Sequence, residues 1–106
     1  MDRIPTILVT NDDGFQAQGI KFLTDIMKQF GNVIVVAPDS ARSGAACSIT
    51  PTHPVSVKEI SDGIFACSGS PVDCVKIALE KILPSKPDLV VSGINHGDNA
   101  SISLHY

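Results

Sequence analysis

The sequence predicts an α/β fold built on an open, parallel sheet, and two observations support this prediction. Apolar runs rich in β-branched residues occur at residues 4–10, 33–37 and 89–91. Helical patterns at residues 18–30 and from Pro71 onward separate these runs. A strand, a helix and a strand of these lengths form a βαβ unit, which requires a parallel strand pair and a right-handed crossover. A chain of 106 residues has one domain by default.

The first three elements follow from the spacing of apolar residues. Residues 4–10, IPTILVT, form a short continuous apolar run, which is typical of a buried parallel strand. A helix is predicted over residues 18–30 because its apolar residues recur at intervals of three and four: Ile20, Leu23, Ile26, Met27 and Phe30. Residues 33–37, VIVVA, form a second buried strand that ends at Pro38.

The elements after Pro38 are a loop, a hairpin, a helix and a strand. Residues 38–54 have no period and contain three prolines, so we expect a long loop. Residues 55–59 and 64–67 flank an Asp-Gly turn and predict a β-hairpin excursion. A helix then begins at Pro71, with Ser70 as N-cap, and ends before Pro84; its predicted apolar face is Val75, Ala78, Leu79 and Ile82. The third core strand follows.

Composition and charge limit the possible partners. The formal charge is −3, and the sequence has no basic run, one Tyr and no Trp, so a nucleic-acid polymer is not an expected partner. No apolar run approaches the roughly 18 residues that span a bilayer, and the N-terminus lacks the apolar stretch of a secretion signal. Three cysteines without metal-ligand spacing are interpreted as small buried residues in a reducing compartment. We therefore expect a cytoplasmic protein without a membrane partner.

Polar side chains follow three strands of the predicted sheet. Loops at the carboxyl ends of neighbouring parallel strands converge on one crevice, where ligands bind. The three loops bring the following side chains to that crevice: Asn11, Asp12, Asp13, Asp39, Arg42, Ser43, Asn95, His96 and Asn99.

The adjacent carboxylates of Asp12 and Asp13 indicate a cation site. Two carboxylates about 4 Å apart repel by roughly 4 kcal/mol at an effective dielectric near 20, so they diverge, one is protonated, or a cation binds between them. A plain turn or helix N-cap is the alternative interpretation. Ser43 and Asn95 would add neutral oxygens, and an all-oxygen set suits Mg²⁺ or Mn²⁺ rather than zinc. Such an ion would hold a phosphate and lower the pKa of an attacking water.

The remaining polar residues of the loops are candidates for binding phosphate, and each has a simpler interpretation. Gly44 would let a backbone amide approach phosphate, although turns also use glycine. Arg42 is either a phosphate clamp or a solvated charge, and the Asn99 amide is either a phosphate donor or a solvated loop residue. His96 is either an acid for the leaving oxygen or a surface histidine. We also predict a phosphate contact from Asn11.

Four segments in order resemble the survival protein E (SurE) family of metal-dependent nucleotidases: NDDG, VVAPDSARSGAACSIT, SGSPVDCV and KPDLVVSGINHGDN. The resemblance implies a Rossmann-like, mostly parallel three-layer domain that hydrolyses nucleoside 5′- and 3′-monophosphates with Mn²⁺ or Mg²⁺. It also implies homodimers or homotetramers in the cytoplasm. By motif, the implied metal ligands are Asp12, Asp13, Ser43 and Asn95, and the aspartate pair would polarise the attacking water.

The resemblance covers nearly all of the chain, but it differs from the family pattern at the C-terminus. In the family, a tyrosine like Tyr106 leads into a Ser-Gly-Thr segment that helps to bind phosphate, and further strands and an oligomerising extension follow. The chain is therefore interpreted as the N-terminal portion of the family fold, with residues 1–106 forming one Rossmann-like domain. We expect the metal half of the site to be present and the phosphate half to be incomplete.

Two alternatives to the nucleotidase interpretation follow from the residues. A non-catalytic nucleotide-binding or phosphate-binding module, or an inactive fragment, is one of them. The other is an aspartyl-phosphate phosphatase of the haloacid dehalogenase type, which requires two carboxylates separated by one residue, whereas Asp12 and Asp13 are adjacent. A dehydrogenase is disfavoured because no Gly-x-Gly-x-x-Gly sequence follows the first strand.

Overall fold

The computed structural model describes residues 3–41 and 54–94, and the backbone of a strand at 103–105. Six strands and two helices lie in these ranges. In chain order they are β1 (Thr6–Thr10), α1 (Gln18–Met27), β2 (Asn32–Pro38), β3 (Val57–Ser61), β4 (Ile64–Cys67), α2 (Pro71–Ile77), which continues as a π-helical segment (Ala78–Ile82), β5 (Leu89–Ser92) and β6 (Ser103–His105).

The six strands form one sheet in the order β3-β4-β2-β1-β5-β6. The four central strands, β4, β2, β1 and β5, are parallel, and the edge strands β3 and β6 are antiparallel to their neighbours. The mostly parallel α/β fold is therefore confirmed. The predicted hairpin forms around Asp62 and Gly63, and its second strand pairs with β2, so the hairpin extends the main sheet rather than leaving it.

One helix packs against each face of the sheet, so the domain has three layers: helix, sheet and helix. Because side chains alternate along a strand, Ile7 and Val9 of β1 face α1, where they pack with Ile20 and Leu23. Leu8 faces the opposite side and belongs to the cluster that includes Cys67 of β4, and Cys74 and Ala78 of the second helix. This two-sided burial explains why the strands are continuously apolar.

The helix α1 is shorter than predicted. It ends at Met27 and a turn over residues 28–30 follows, so Phe30 leaves the buried face and is 63% exposed. Thr24 is buried in the helix instead, at 7% exposure. The apolar spacing predicted the buried face correctly only as far as the helix continues.

The second helix begins at Pro71 and ends before Pro84, as predicted, but its last five residues, Ala78–Ile82, are π-helical. Ser70 is its N-cap: the Ser70 hydroxyl accepts a hydrogen bond from the Asp73 N–H (3.2 Å), and the Asp73 carboxylate accepts one from the Ser70 N–H (2.9 Å). The wider π-helical turns then change which residues face the sheet, because each turn holds more residues than in an α-helix. Leu79, predicted on the apolar face, is accordingly 46% exposed.

The strand β6 was not predicted. Its three residues pair with β5, with Leu104 opposite Val91. A segment this short carries too little periodicity to distinguish a strand from a loop. In the described part of the chain, both helices are too short to cross a bilayer.

An ion pair joins the N-terminal segment to the residue before β5. The Arg3 guanidinium donates two hydrogen bonds to the Asp88 carboxylate, and the Thr6 N–H donates a third at 2.8 Å. The Arg3 side chain and, after it, the Thr6 N–H lower the pKa of Asp88 to about 2. The Asp88 N–H donates in return to the Thr6 carbonyl at 2.9 Å.

This pair predicts a pH dependence of stability. Because the pKa of Asp88 is depressed in the folded chain, its contribution is complete above the unfolded value, about 4, and is lost as the pH falls towards about 2. Asp88→Asn should flatten the fall of the urea midpoint over this window. Asp62→Asn, in the hairpin turn, is the control. If the urea midpoint of Asp88→Asn fell as steeply as that of the wild type between about pH 4 and pH 2, the lowered pKa of Asp88 would be contradicted.

Candidate metal and phosphate site

The NDDG loop, residues 11–14, leaves the carboxyl end of β1 and is held by its own asparagine. Asn11 is 0% exposed, its amide donates to the Gly14 carbonyl (2.8 Å), and its carbonyl accepts from the Gly14 N–H (3.1 Å). Gly14 has a φ of +106°, which side chains rarely tolerate, so the turn requires glycine. These contacts hold the turn that contains Asp12 and Asp13.

Asn11 has a role within the NDDG loop, and its predicted phosphate contact stays a prediction. Its side chain is fully buried and is used within the loop, so the geometry favours support of the NDDG turn over a phosphate contact. Asn and Asp side chains commonly stabilise such turns by bonding the backbone close by. The sequence contained this signal, because a turn glycine follows Asn11 by three positions.

The described parts of all three predicted loops meet at the NDDG loop. The Phe15 N–H donates to the Pro38 carbonyl at the end of β2 (2.9 Å). A Cβ atom at Gly14 would lie 3.4 Å from the backbone of Ser40, so this backbone packs closely against the NDDG loop. On the other side, the Gly93 N–H donates to the Thr10 carbonyl (3.0 Å). The segments that lead into Ser43 and Asn95 therefore begin beside the NDDG loop.

The NDDG loop also lies at a topological switch point. The connection from β1 runs through α1 to β2 on one side, whereas β5 lies on the other side of β1 and connects to β6 at the opposite edge. In open parallel sheets, ligands bind in the crevice at such a point, next to the carboxyl ends of the strands. Thr10 and Ser92 are register partners there, so the loops after β1 and β5 start at the same level.

The Asp12 carboxylate has a buried oxygen that fits a cation. Asp12 and Asp13 are both partly buried, and the Asp12 Oδ1 is inaccessible to solvent without a hydrogen-bond partner among the described residues. A carboxylate oxygen taken out of water without a partner is costly, and buried charges in proteins are paired or coordinate metals. The donors present at this loop therefore suit a hard divalent cation.

The other predicted ligands and phosphate contacts lie outside the described residues. These are Arg42, Ser43, Gly44, Asn95, His96 and Asn99. Within the described ranges, no three His, Cys, Asp or Glu side chains converge on one point. The predicted ligand set needs only two carboxylates, and the structure brings both of them to the switch point.

Two cysteines lie beneath this end of the sheet. Cys67 and Cys74 are fully buried, unbridged, and packed with Leu8 and Val36. The neighbouring Cys67 thiol and burial raise the pKa of Cys74, so Cys74 remains a neutral thiol. For these two residues the interpretation as small buried side chains is confirmed, and Cys47 lies outside the described residues.

Fold and site together define a class: a Rossmann-like α/β domain with paired carboxylates after its first strand, at the switch point of the sheet. The family model described as "Survival protein SurE" matches residues 7–106. The chain belongs to the SurE family.

Curated relatives and a solved structure resemble the chain over most of its length. The 5′-nucleotidase SurE of Bacteroides thetaiotaomicron is 48% identical over 106 residues, which are 96% of this chain and 41% of the relative. The 5′-nucleotidase SurE of Christiangramia forsetii is 54% identical over 96% of this chain and 42% of its own. The crystal structure of the SurE protein from Aquifex aeolicus superposes with a TM-score of 0.84 at 44% identity, over 90% of this chain and 39% of that one. The chain thus spans about two fifths of the length of these relatives.

Proposed function

We propose that the chain is the metal-binding portion of a divalent-metal-dependent phosphomonoesterase that hydrolyses nucleoside 5′-monophosphates, and also 3′-monophosphates, to nucleoside and phosphate. The observation that carries the proposal is the buried Asp12 Oδ1 at the switch point of the sheet, which has no hydrogen-bond partner within residues 3–41 and 54–94. The names of the relatives, 5′-nucleotidase SurE, support the reaction and the class of substrate.

The proposed cation ligands are Asp12, Asp13, Ser43 and Asn95, and the ion is Mn²⁺ or Mg²⁺. Hard oxygen donors with a low ligand count suit these ions, which keep several waters. When bound, such an ion supplies charge neutralisation for a phosphate and acidifies a water for attack on phosphorus. The carboxylates of Asp12 and Asp13 attract the ion. The bound ion would in turn hold an anionic phosphate on a protein whose own net charge is −3.

In this proposal, loop residues of the chain position the two carboxylates and bind the phosphate of the substrate. The Asn11 bonds to Gly14 fix the loop, so the two carboxylates are positioned before any ligand arrives. Arg42, His96, Asn99 and the backbone of Gly44 are the proposed phosphate contacts, because they lie on the loops that follow β2 and β5. Asp12 and Asp13 are the proposed catalytic residues.

The domain organisation, the oligomeric state and the cellular location are proposed from the same family membership. We propose that residues 1–106 are one domain, that the whole protein is a homodimer or homotetramer, and that it works in the cytoplasm. The negative net charge and the absence of a basic run in the sequence support a small nucleotide, rather than a nucleic-acid polymer, as partner.

The test measures metal binding first and turnover second. We expect the purified chain to bind one Mn²⁺ by calorimetry, and any release of phosphate from adenosine 5′-monophosphate to require Mn²⁺ or Mg²⁺. EDTA should return the rate to background. Binding of Mn²⁺ and nucleotide without phosphate release would instead identify a binding module, and a chain without Mn²⁺ affinity would refute the proposal. Trapping of an aspartyl-phosphate would favour the haloacid dehalogenase chemistry.

A further inference from the structure

The Thr10 side chain is a second unexplained polar group at the end of β1. Thr10 is the last residue of the strand and is 2% exposed. Its hydroxyl oxygen is buried and has no hydrogen-bond partner among the described residues. Buried hydroxyls in proteins are nearly always bonded, so an unpartnered one calls for an explanation.

The described residues around Thr10 do not give its hydroxyl a good hydrogen bond. Alternation along β1 places Leu8 and Thr10 on the face covered by the second helix, and the hydroxyl approaches the Cys74 thiol there. A neutral thiol is a weak donor and a weak acceptor, so this approach is a poor replacement for a hydrogen bond to oxygen. The Thr10 carbonyl is already bonded, since it accepts from the Gly93 N–H at 3.0 Å.

Thr10 and Asp12 have complementary needs. Within residues 3–41 and 54–94, the buried side-chain atoms without a partner are the Thr10 hydroxyl oxygen and the Asp12 Oδ1. They are two positions apart in the chain, on either side of the buried Asn11. A hydroxyl can donate a hydrogen bond, and an ionised carboxylate can only accept one.

We propose that Thr10 is a positioning residue for the cation site: its hydroxyl donates to the Asp12 carboxylate, directly or through one water, when the cation binds. This inference rests on the proposed metal site. Ligating carboxylates are themselves hydrogen-bonded, and loss of such a bond typically weakens metal affinity about 10-fold to 100-fold. The hydroxyl thus orients Asp12 without touching metal or substrate.

The test compares Thr10→Val, which keeps the shape and removes the hydroxyl, with Thr10→Ser, which keeps the hydroxyl. Thr24→Val is the matched control, because Thr24 is buried in α1, whose core face lies on the other side of the sheet. Calorimetric titration of each variant of the chain with Mn²⁺ alone should show about 10-fold to 100-fold weaker binding for Thr10→Val. Thr10→Ser should retain most of the wild-type affinity, and Thr24→Val should match the wild type.

Thermal unfolding of the metal-free chains separates positioning from packing. The melting temperature of metal-free Thr10→Val should be no lower than that of the wild type, because the lost hydroxyl has no hydrogen-bond partner in the described part of the chain. Equal Mn²⁺ affinity of Thr10→Val and wild type would overturn the inference while leaving the metal site intact. Weak binding by both Thr10→Val and Thr10→Ser would also overturn it. A wild-type chain without Mn²⁺ affinity would refute the metal site itself.

Discussion

Asparagine in place of Asp12 is expected to weaken Mn²⁺ binding by at least about 100-fold and to abolish metal-dependent phosphate release. Unit charges about 4 Å apart interact by roughly 4 kcal/mol at an effective dielectric near 20, and about 1.4 kcal/mol corresponds to a factor of ten in affinity. Part of that energy is offset by dehydration of the ion, so a loss of two orders of magnitude is a conservative expectation. Asparagine keeps the size of the side chain and removes its charge.

The same substitution is expected to stabilise the metal-free chain. Among the described residues, the buried Asp12 Oδ1 has no hydrogen-bond partner, and a second carboxylate, Asp13, follows Asp12 directly in the chain. A neutral amide costs less to bury than a charged oxygen and removes the repulsion between neighbours. We therefore expect opposite signs: a higher melting temperature without metal and weaker binding of Mn²⁺.

Asp25→Asn is the matched control for Asp12→Asn. Asp25 is exposed on α1, so the substitution makes the same change of charge away from the site. It should leave both Mn²⁺ affinity and phosphate release unchanged. Wild-type Mn²⁺ affinity in Asp12→Asn would contradict the assignment of Asp12 as a ligand.

Alanine in place of Gly19 is expected to destabilise the chain although alanine favours helices. In an ordinary helix this change stabilises by about 0.5–1 kcal/mol. At Gly19, a Cβ would collide with the backbone carbonyl oxygen of Ile94, which cannot move like a flexible side chain. Overpacking of this kind typically costs about 1–3 kcal/mol, so the net effect should be a loss of roughly 1–2 kcal/mol.

The Gly19→Ala substitution should also weaken Mn²⁺ binding. Ile94 directly precedes Asn95, a proposed ligand, and follows Gly93, whose N–H donates to the Thr10 carbonyl. A Cβ at position 19 would displace Ile94, and we therefore expect Asn95 to be displaced with it. Chemical unfolding and calorimetric titration measure the two effects. Gln18→Ala is the control at the preceding, exposed position of α1 and should preserve both stability and affinity. A more stable Gly19→Ala chain would show that the close approach to Ile94 is not important.

The location of the candidate site could be predicted from the sequence because of the geometry of parallel sheets. Continuous apolar strands ended at polar loops, and the loops at the carboxyl ends of parallel strands meet at one edge. The contacts of Phe15 with Pro38 and of Gly93 with Thr10 confirm this meeting for the described parts of the loops. The identity of the ligands at Ser43 and Asn95 stays a prediction.

The individual roles of buried polar residues could not be predicted in the same way. Asn11 and Asp12 are neighbours with similar side chains, yet Asn11 is fully used by the turn while the Asp12 Oδ1 has no partner among the described residues. Burial and hydrogen bonding of single atoms depend on the turn formed with Gly14 and on the neighbouring strands. The sequence pattern contains only residue types and spacings.

The sequence by itself determined the α/β class, the buried face of α1 as far as Met27, the Ser70 cap and the place of the NDDG loop. These depend on local periodicity and on side chains that bond the backbone three residues away. Only the tertiary structure decided the pairing of β4 with β2, the strand β6, the π-helical segment that exposes Leu79, and the need for glycine at position 19. Each of these depends on contacts between residues far apart in the chain, whose packing outweighs local preferences of a few tenths of a kcal/mol.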